Sequence, residues 1–340
     1  MVEIYPIEQM KVLSYYNEIK DIFKGNIPVP RTVEIFISDD CNHKCVGCHS
    51  SMLHEEHIGK LDIKVVKKVI RELSTLGVEG IEISGGGEPL LHPNIVEFME
   101  CVNEKMVGGM ITNGTVITEK IGDSIVENLR FVRIALDAGS KDVYEKIHRV
   151  NHFKILKNNI RYIVKRKQEL KSNITIGLKY LVSEKNYFDI IKATELAKSL
   201  GVDYIQFKAL RRDENTITDL VKVSELIEDS KKLANNSFKV MGSIEKTFLT
   251  TPCVLTPIHP TIDASGNVYL CAFWQYRRDS FNIGNIKNQT FKEIWYSERH
   301  IEAIKSIKID ECNYFDCPLH IPNYIAHEAI KEGNMHLEFV

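Results

Sequence analysis

Two hydrophobic rhythms alternate along the chain. An opening segment near 7–24 has the spacing of an amphipathic helix. Short runs with a period of two follow at 32–38, 79–84, 107–112, 131–137, 174–181 and 203–208. That period belongs to strands, whose side chains point alternately to opposite faces. Between them, apolar positions at helical spacing predict helices near 62–76, 93–105, 118–128, 141–170, 187–200 and 218–235. Strand and helix in turn predict repeated βα units and a parallel sheet, open or closed into a barrel. The alternation stops around 236–250, after which TPIHPTIDASGNVYLCAF reads as a hairpin turning at Ser265, Gly266 and Asn267. A later helix is predicted over about 290–306, and a domain boundary near 245.

The strands carry a second signal. A parallel sheet buried on both faces needs strands that are apolar throughout. Here only one face is: Val33, Ile35, Ile37; Ile81, Ile83; Val132, Ile134, Leu136; Ile205, Phe207. The other face collects Glu34, Ser38, Glu82, Ser84, Arg133, Asp137, Thr175, Lys179, Gln206 and Lys208. In a curved or closed sheet these converge inside. Glu34, Glu82 and Arg133, early or mid-strand, suit internal pairs that plug a barrel floor. Ser84, Asp137, Lys179 and Lys208 lie near strand C-termini, where α/β barrels place their chemistry, and predict a polar cavity open at that end.

Composition narrows the class without naming it. The 340 residues are 44% apolar and 26% charged, which excludes a disordered, collagenous or coiled-coil chain. A formal net charge of −2 gives no global field for nucleic acid or membrane. No apolar run approaches the ~20 residues of a membrane span, and the N-terminus lacks the pattern of a signal peptide. The expectation is a cytoplasmic protein with no nucleic-acid or membrane partner.

Eight cysteines change the picture: a tight triplet Cys41, Cys45, Cys48; a loose quartet Cys253, Cys271, Cys312, Cys317; and Cys101. In a reducing compartment, clustered cysteines read as metal ligands or catalysts before disulfides. The triplet follows directly on the first strand and can grip one face of a metal centre. Taken alone it allows a structural zinc completed by His43 or His49, or an iron–sulfur cluster with one iron open to an external ligand.

Cys41-x3-Cys45-x2-Cys48 after the first strand, with Gly85-Gly86-Gly87-Glu88-Pro89 after the second, resembles the radical S-adenosylmethionine superfamily. Thr112-Asn113-Gly114 after the third strand, Ala135-Leu136-Asp137 after the fourth, and Ile147-His148-Arg149 followed by Phe153 and Asn159 extend the resemblance over residues 31–210. It implies an α/β fold, a partial (β/α)6 TIM-like barrel. It also implies a [4Fe–4S] cluster on Cys41, Cys45 and Cys48, whose open iron is chelated by S-adenosylmethionine. Gly86, Gly87, Glu88, Asn113 and Asp137 are the implied cofactor-binding residues, with the Glu88 carboxylate accepting from the methionine ammonium. Two departures stand out. Gly47 occupies the place of the aromatic residue usual before the third cysteine, so His49 replaces it from the other side or the adenine is held differently. Ala135 replaces a frequent serine.

Cys253-x12-Gly266-x4-Cys271, then Asn285-Ile286 and the helix Thr290–Trp295, resemble the opening of SPASM and twitch auxiliary-cluster domains. Only Cys312 and Cys317 follow, so the resemblance implies the shorter, twitch-like form with one auxiliary [4Fe–4S] cluster on four cysteines. A zinc with four cysteines is the alternative. The implied division is 1–30, an N-terminal helix; 31–245, the barrel core; and 246–340, a small α+β cluster domain.

The resemblance implies reductive cleavage of S-adenosylmethionine to a 5′-deoxyadenosyl radical, which takes hydrogen from a C–H bond. A flavodoxin- or ferredoxin-type electron donor is the implied partner. The favoured substrate is a small polar molecule (a sugar, cyclitol, nucleoside or amino-acid derivative), and the favoured outcome is oxidation. Alternatives are maturation of a ribosomally made peptide, epimerisation, and a non-catalytic electron carrier. Cys101, in the predicted helix NIVEFMECVNEK, reads as an inert core thiol, the sharper option being a hydrogen-atom donor. Trp274, Tyr276, Arg277 and Arg278 either roof the substrate or serve packing, and Lys208, Arg211 and Arg212 either meet an anionic group or form a solvated loop.

Overall fold

In the computed structural model, residues 9–51, 53, 59–210, 216–242, 244, 250–315 and 319–331 are described. A 3₁₀ turn at Gln9–Tyr15 leads into α1 (Tyr16–Phe23). There follow β1 (Thr32–Phe36), α2 (Ile63–Leu76), β2 (Gly80–Ser84), α3 (Ile95–Asn103), β3 (Val107–Thr112) and α4 (Glu119–Asn128). Next come β4 (Phe131–Ala135), α5 (Lys141–His148), α6 (Phe153–Glu169), β5 (Thr175–Val182), α7 (Ile190–Leu200), β6 (Tyr204–Ala209), α8 (Leu220–Lys231) and β7 (Lys239–Gly242). The C-terminal part holds β8 (Thr261–Ile262), β9 (Asn267–Tyr269), α9 (Arg278–Phe281), β10 (Asn282–Asn285), α10 (Phe291–Trp295), α11 (Glu298–Lys305), α12 (Ile309–Phe315) and α13 (His320–Lys331).

Strands β1 to β7 stand side by side in chain order, all parallel. This is the βα barrel the alternation predicts. The helices between barrel strands turn an apolar stripe to the sheet: α2 buries Val66, Val69, Ile70 and Leu73, starts on the Asp62 side-chain cap and stops at left-handed Gly77. Each such side chain contributes about 1.5–3 kcal/mol when fully buried. The predicted apolar strand face is buried throughout, from Val33, Ile35 and Ile37 to Ile205 and Phe207.

Several elements differ from the sequence expectation. β7 is a seventh parallel strand beside β6, inside the stretch 236–250 where the alternation is expected to stop. The sheet continues past β1, because β8 joins it in parallel, with Glu34 opposite Thr261, and β9 and β10 follow antiparallel. The hairpin turn falls where predicted. The single helix expected over 141–170 is two, α5 and α6, with Arg149 left-handed at φ 56°. Its cause lies in the cysteine loop: Lys44 and Val46 donate their amides to the carbonyls of His148 and Ile147, acceptors a continuing helix would need. The helix expected over 290–306 also divides, at Ser297, whose side chain caps α11.

Two glycines shape the barrel floor. A Cβ on Gly109 would lie 2.0 Å from the Phe131 ring, and one on Gly177 would lie 1.9 Å from Tyr204. Their absence lets both aromatic rings fill the floor. Arg133 donates to the Tyr204 hydroxyl at 3.2 Å and spans the ring of Phe131. Glu34 accepts from Ser84 at 2.7 Å and from Thr261 at 3.3 Å. The floor is thus plugged mainly by hydrogen bonds.

Candidate functional site

Cys41, Cys45 and Cys48 lie on the loop that leaves the C-terminal end of the β1 segment, and every neighbouring strand end holds that loop. From β2, Gly87 and Glu88 donate their amides to the carbonyls of Ser38 at 2.9 Å and Asp40 at 2.7 Å. A Cβ on Gly87 would lie 2.1 Å from the Asp40 carbonyl oxygen, and one on Gly86 would lie 2.2 Å from the Asp39 carboxylate. The glycines of the second motif therefore serve first to bring the two loops into contact. From β3, the Asn113 side-chain Nδ2 donates to the Asn42 carboxamide oxygen at 2.8 Å, while Asn42 Nδ2 donates to the Thr115 hydroxyl at 2.9 Å. From α5, the carbonyls of Ile147 and His148 take the two amides described above.

Glu88 is the centre of this clasp. Its carboxylate is 2% exposed and accepts from the amide of Leu90 (3.0 Å), the hydroxyl of Thr112 (2.5 Å) and the amide of Asn113 (2.7 Å). Burial pushes its carboxyl up to about 7, against the pull of these three donors. The implied contact to a methionine ammonium therefore falls to a carboxylate already tying β2 to β3. Asp137 is built alike: left-handed at φ 52°, it accepts from the Leu181 amide at 2.5 Å and lies 3.6 Å from His148.

The histidines are gathered at one cysteine. His148 donates Nε2–H to the Leu136 carbonyl at 3.0 Å, which leaves its Nδ1 facing Cys45 Sγ at 3.1 Å as acceptor of the thiol proton. His43 lies beside both, and His152 beyond it. Burial lowers His43 to about 3, keeping it neutral. Ligand atoms of His43, Cys45 and His148 fall within 4.8 Å of one another, a set that suits zinc but uses only one of the three cysteines. Exposed His49 does not complete it, and its ring lies 6.4 Å from that of Phe273. Gly47, left-handed at φ 69°, has the Leu210 side chain where its own would begin, so an aromatic residue there would be strained.

The donor set fits an iron–sulfur cluster. Burial pushes the Cys41 thiol up to about 11 and raises Cys45 and Cys48, and the first two are raised further by the other cysteines. Three half-buried thiols, two of them opposed by a neighbouring sulfur, are favoured as thiolates around a cation.

The inward face keeps partial exposure from the floor to the strand C-termini: Glu82 and Arg133 low in the barrel, and Ala135, Lys179, Leu181 and Lys208 above them, are half-exposed, while most of their outward neighbours are buried. The lumen therefore presents both charges. Deeper inside, burial and then Glu82 push the Glu34 carboxyl up to about 8.

The second cysteine group is drawn from distant segments. Cys253 packs with Val12, Ile19, Val254, Leu255 and Ala326, and Asn323 fixes the chain there by accepting from the Val254 amide at 2.8 Å. Cys271 follows β9, and Cys312 lies in α12. Burial raises Cys253 and pushes Cys271 up to about 12; Cys312 raises both, and Arg277 opposes the rise at Cys271. Cys317, Arg211 and Arg212 lie outside the described residues. Trp274 is fully buried and stacks on Tyr269 at 3.9 Å, so it serves packing. Cys101 is half-buried in the helical layer, where its charged neighbours include Lys67 and Arg71 of α2. The Asn42 and Thr115 clasp had no signal in the sequence.

Two family models match: the Radical SAM superfamily over residues 35–191 and the iron–sulfur cluster-binding SPASM domain over 253–318. Among curated relatives, a GTP 3′,8-cyclase of Clostridium perfringens (strain SM101 / Type A) is 22% identical over 290 residues, 77% of this chain and 87% of that protein. An AdoMet-dependent heme synthase of Methanosarcina barkeri is 24% identical over 298 residues, 78% and 82% of the two chains. Among solved structures, Streptococcus suis SuiB bound to S-adenosylmethionine aligns with TM-score 0.69 at 16% identity, covering 93% of this chain and 79% of that one. Native anSMEcpe with bound AdoMet aligns with TM-score 0.63 at 20% identity, covering 86% and 88%. These likenesses carry the partial barrel fold, and the two domain models imply a 4Fe–4S cluster with S-adenosylmethionine and auxiliary iron–sulfur chemistry. The chain belongs to the radical S-adenosylmethionine superfamily and carries a C-terminal SPASM domain.

Proposed function

We propose that this enzyme abstracts hydrogen from a C–H bond of a small polar substrate held in the barrel lumen, and that the outcome is an oxidation. When bound, the reduced [4Fe–4S] cluster and S-adenosylmethionine supply the hydrogen-abstracting radical. In this reading Cys41, Cys45 and Cys48 hold that cluster, and Gly86, Gly87, Glu88, Asn113 and Asp137 form the cofactor's bed. Cys253, Cys271, Cys312 and Cys317 hold the auxiliary cluster. In this reading residues 1–30 are the N-terminal helix, 31–245 the barrel core and 246–340 the cluster domain, whose strand β8 continues the barrel sheet beside β1.

The observation that carries the substrate class is the half-exposed lumen bearing Glu82, Arg133, Lys179 and Lys208. Charges of both signs on strands fixed by their neighbours suit a molecule with several hydroxyl, amine or acidic groups. The floor closes the far end, and the walls position the reacting carbon and exclude water. Cys101, in the outer layer, is poorly placed to return a hydrogen atom, which favours oxidation over epimerisation.

A peptide substrate is the second reading, favoured by structural neighbours that include SuiB bound to its precursor peptide SuiA and anSMEcpe with a peptide. With dithionite, amino sugars, nucleosides and cyclitols are expected to raise 5′-deoxyadenosine formation more than short peptides do. In D2O, the product should be two hydrogens lighter and free of carbon-bound deuterium. Stimulation by peptides alone would replace the first reading with the second. Deuterium at an inverted carbon would make the enzyme an epimerase.

A further inference from the structure

The stretch that follows Cys271 brings a fixed charge to the second cysteine group. The Arg277 guanidinium donates Nη1–H to Cys312 Sγ at 3.3 Å. Its Nε and Nη2 donate to the Phe273 carbonyl at 3.3 and 3.0 Å. The Phe281 ring lies beneath it, 4.2 Å from the guanidinium carbon. Arg277 is 9% exposed, and its charge also acts on Cys271. One segment, 271–281, thus supplies a sulfur ligand, the cation beside it, and both the carbonyl and the ring that hold the cation still. An arginine guanidinium is a cation with several N–H donors in a fixed fork.

Adding an electron to an iron–sulfur cluster adds a negative charge to its sulfurs, and a nearby cation or N–H donor favours that state. The effect is largest where water is excluded. We infer that Arg277 is a positioning residue that raises the reduction potential of the auxiliary cluster, making that cluster the electron acceptor of the pair. The inference rests on the proposed assignment of Cys271 and Cys312 to that cluster.

The test is a redox titration of the reconstituted full chain followed by electron paramagnetic resonance, with iron content measured alongside. Addition of S-adenosylmethionine perturbs one cluster signal and so identifies the other as auxiliary. Arg277→Gln is expected to disfavour reduction of the auxiliary cluster about tenfold, a downward shift of about 59 mV for one electron, with the other cluster unmoved. Arg277→Lys keeps the charge but cannot bridge Phe273 and Cys312, so its midpoint should fall by less. Full iron in Arg277→Gln with an unchanged auxiliary midpoint would overturn the inference alone. Should Arg277→Gln fail to retain auxiliary iron, Arg277→Lys decides: a lowered midpoint supports the inference, and one at or above the parent value overturns it. Parent protein with about four iron, and zinc at the C-terminal cysteines, would overturn the auxiliary-cluster assignment and the inference with it.

Discussion

Cys41, Cys45 and Cys48 sit on one loop that three neighbouring elements clasp, whereas Cys253, Cys271 and Cys312 come from a small apolar core, a hairpin exit and a late helix. The first group is held by backbone amides, a carboxamide pair and the Glu88 carboxylate. Its sulfur neighbour is an imidazole whose proton is committed to the Leu136 carbonyl. The second group has a guanidinium hydrogen-bonded to a sulfur. In the proposed assignment the difference separates two tasks. There, a loop gripped from several sides would keep an open coordination position in a defined place, while a permanent charge beside spread sulfurs would favour accepting an electron.

Removing either group is the largest break. Cys253→Ala, Cys271→Ala and Cys312→Ala together should lower iron from about eight to about four per chain and abolish product, while S-adenosylmethionine is still cleaved. Parallel loss of cleavage, read as 5′-deoxyadenosine by chromatography, would show that the two sites are not separable.

Glu88→Gln sharpens the account of the clasp. The amide group of glutamine would face either the Asn113 N–H or the Leu90 N–H, leaving a buried donor unmet at a cost of about 1–3 kcal/mol. Denaturant midpoints should fall, and calorimetry should show weaker binding of S-adenosylmethionine. Unchanged values for both would remove Glu88 from the centre of the site. Asn42→Ala, which loses the contacts to Asn113 and Thr115, should cost about 1 kcal/mol and speed chelator removal of the first cluster only. Equal acceleration at both clusters would count against a local clasp.

Much of this plan is legible in the sequence. The six core strands could be read because their apolar faces repeat every second residue, and the first cysteine group because its ligands are close in sequence. What escaped was set by tertiary contact. The division of 141–170 into two helices depends on amides of Lys44 and Val46, about a hundred residues away. The addition of β8 beside β1 pairs Glu34 with Thr261, 227 residues away along the chain. The role of Glu88 as a clasp depends on Thr112 and Asn113, and nothing local to GGGEP announces it.

Smaller effects come from the floor and the outer layer. Glu34 carries a carboxyl raised to about 8 by burial and by Glu82. Between the ordinary carboxyl range and that value the folded state holds a proton the unfolded chain has released, so stability falls as pH rises through this window. Glu34→Gln keeps partners for Ser84 and Thr261, and should flatten the fall in urea midpoint between about pH 5 and pH 8. A slope equal to the parent's would place the titration elsewhere. Cys101→Ala should leave product formation within about twofold of the parent. A large loss of turnover without loss of stability would return Cys101 to the chemistry.

The central claim is that the clasped loop, and not the C-terminal cysteines, carries the cofactor-cleaving cluster. Its most direct measurement compares the reconstituted parent with the Cys41→Ala/Cys45→Ala/Cys48→Ala variant, by iron content and by 5′-deoxyadenosine formed under dithionite. The account predicts about eight iron falling to about four, with cleavage abolished. Cleavage that survives in the variant, or a parent that holds only about four iron, would contradict it.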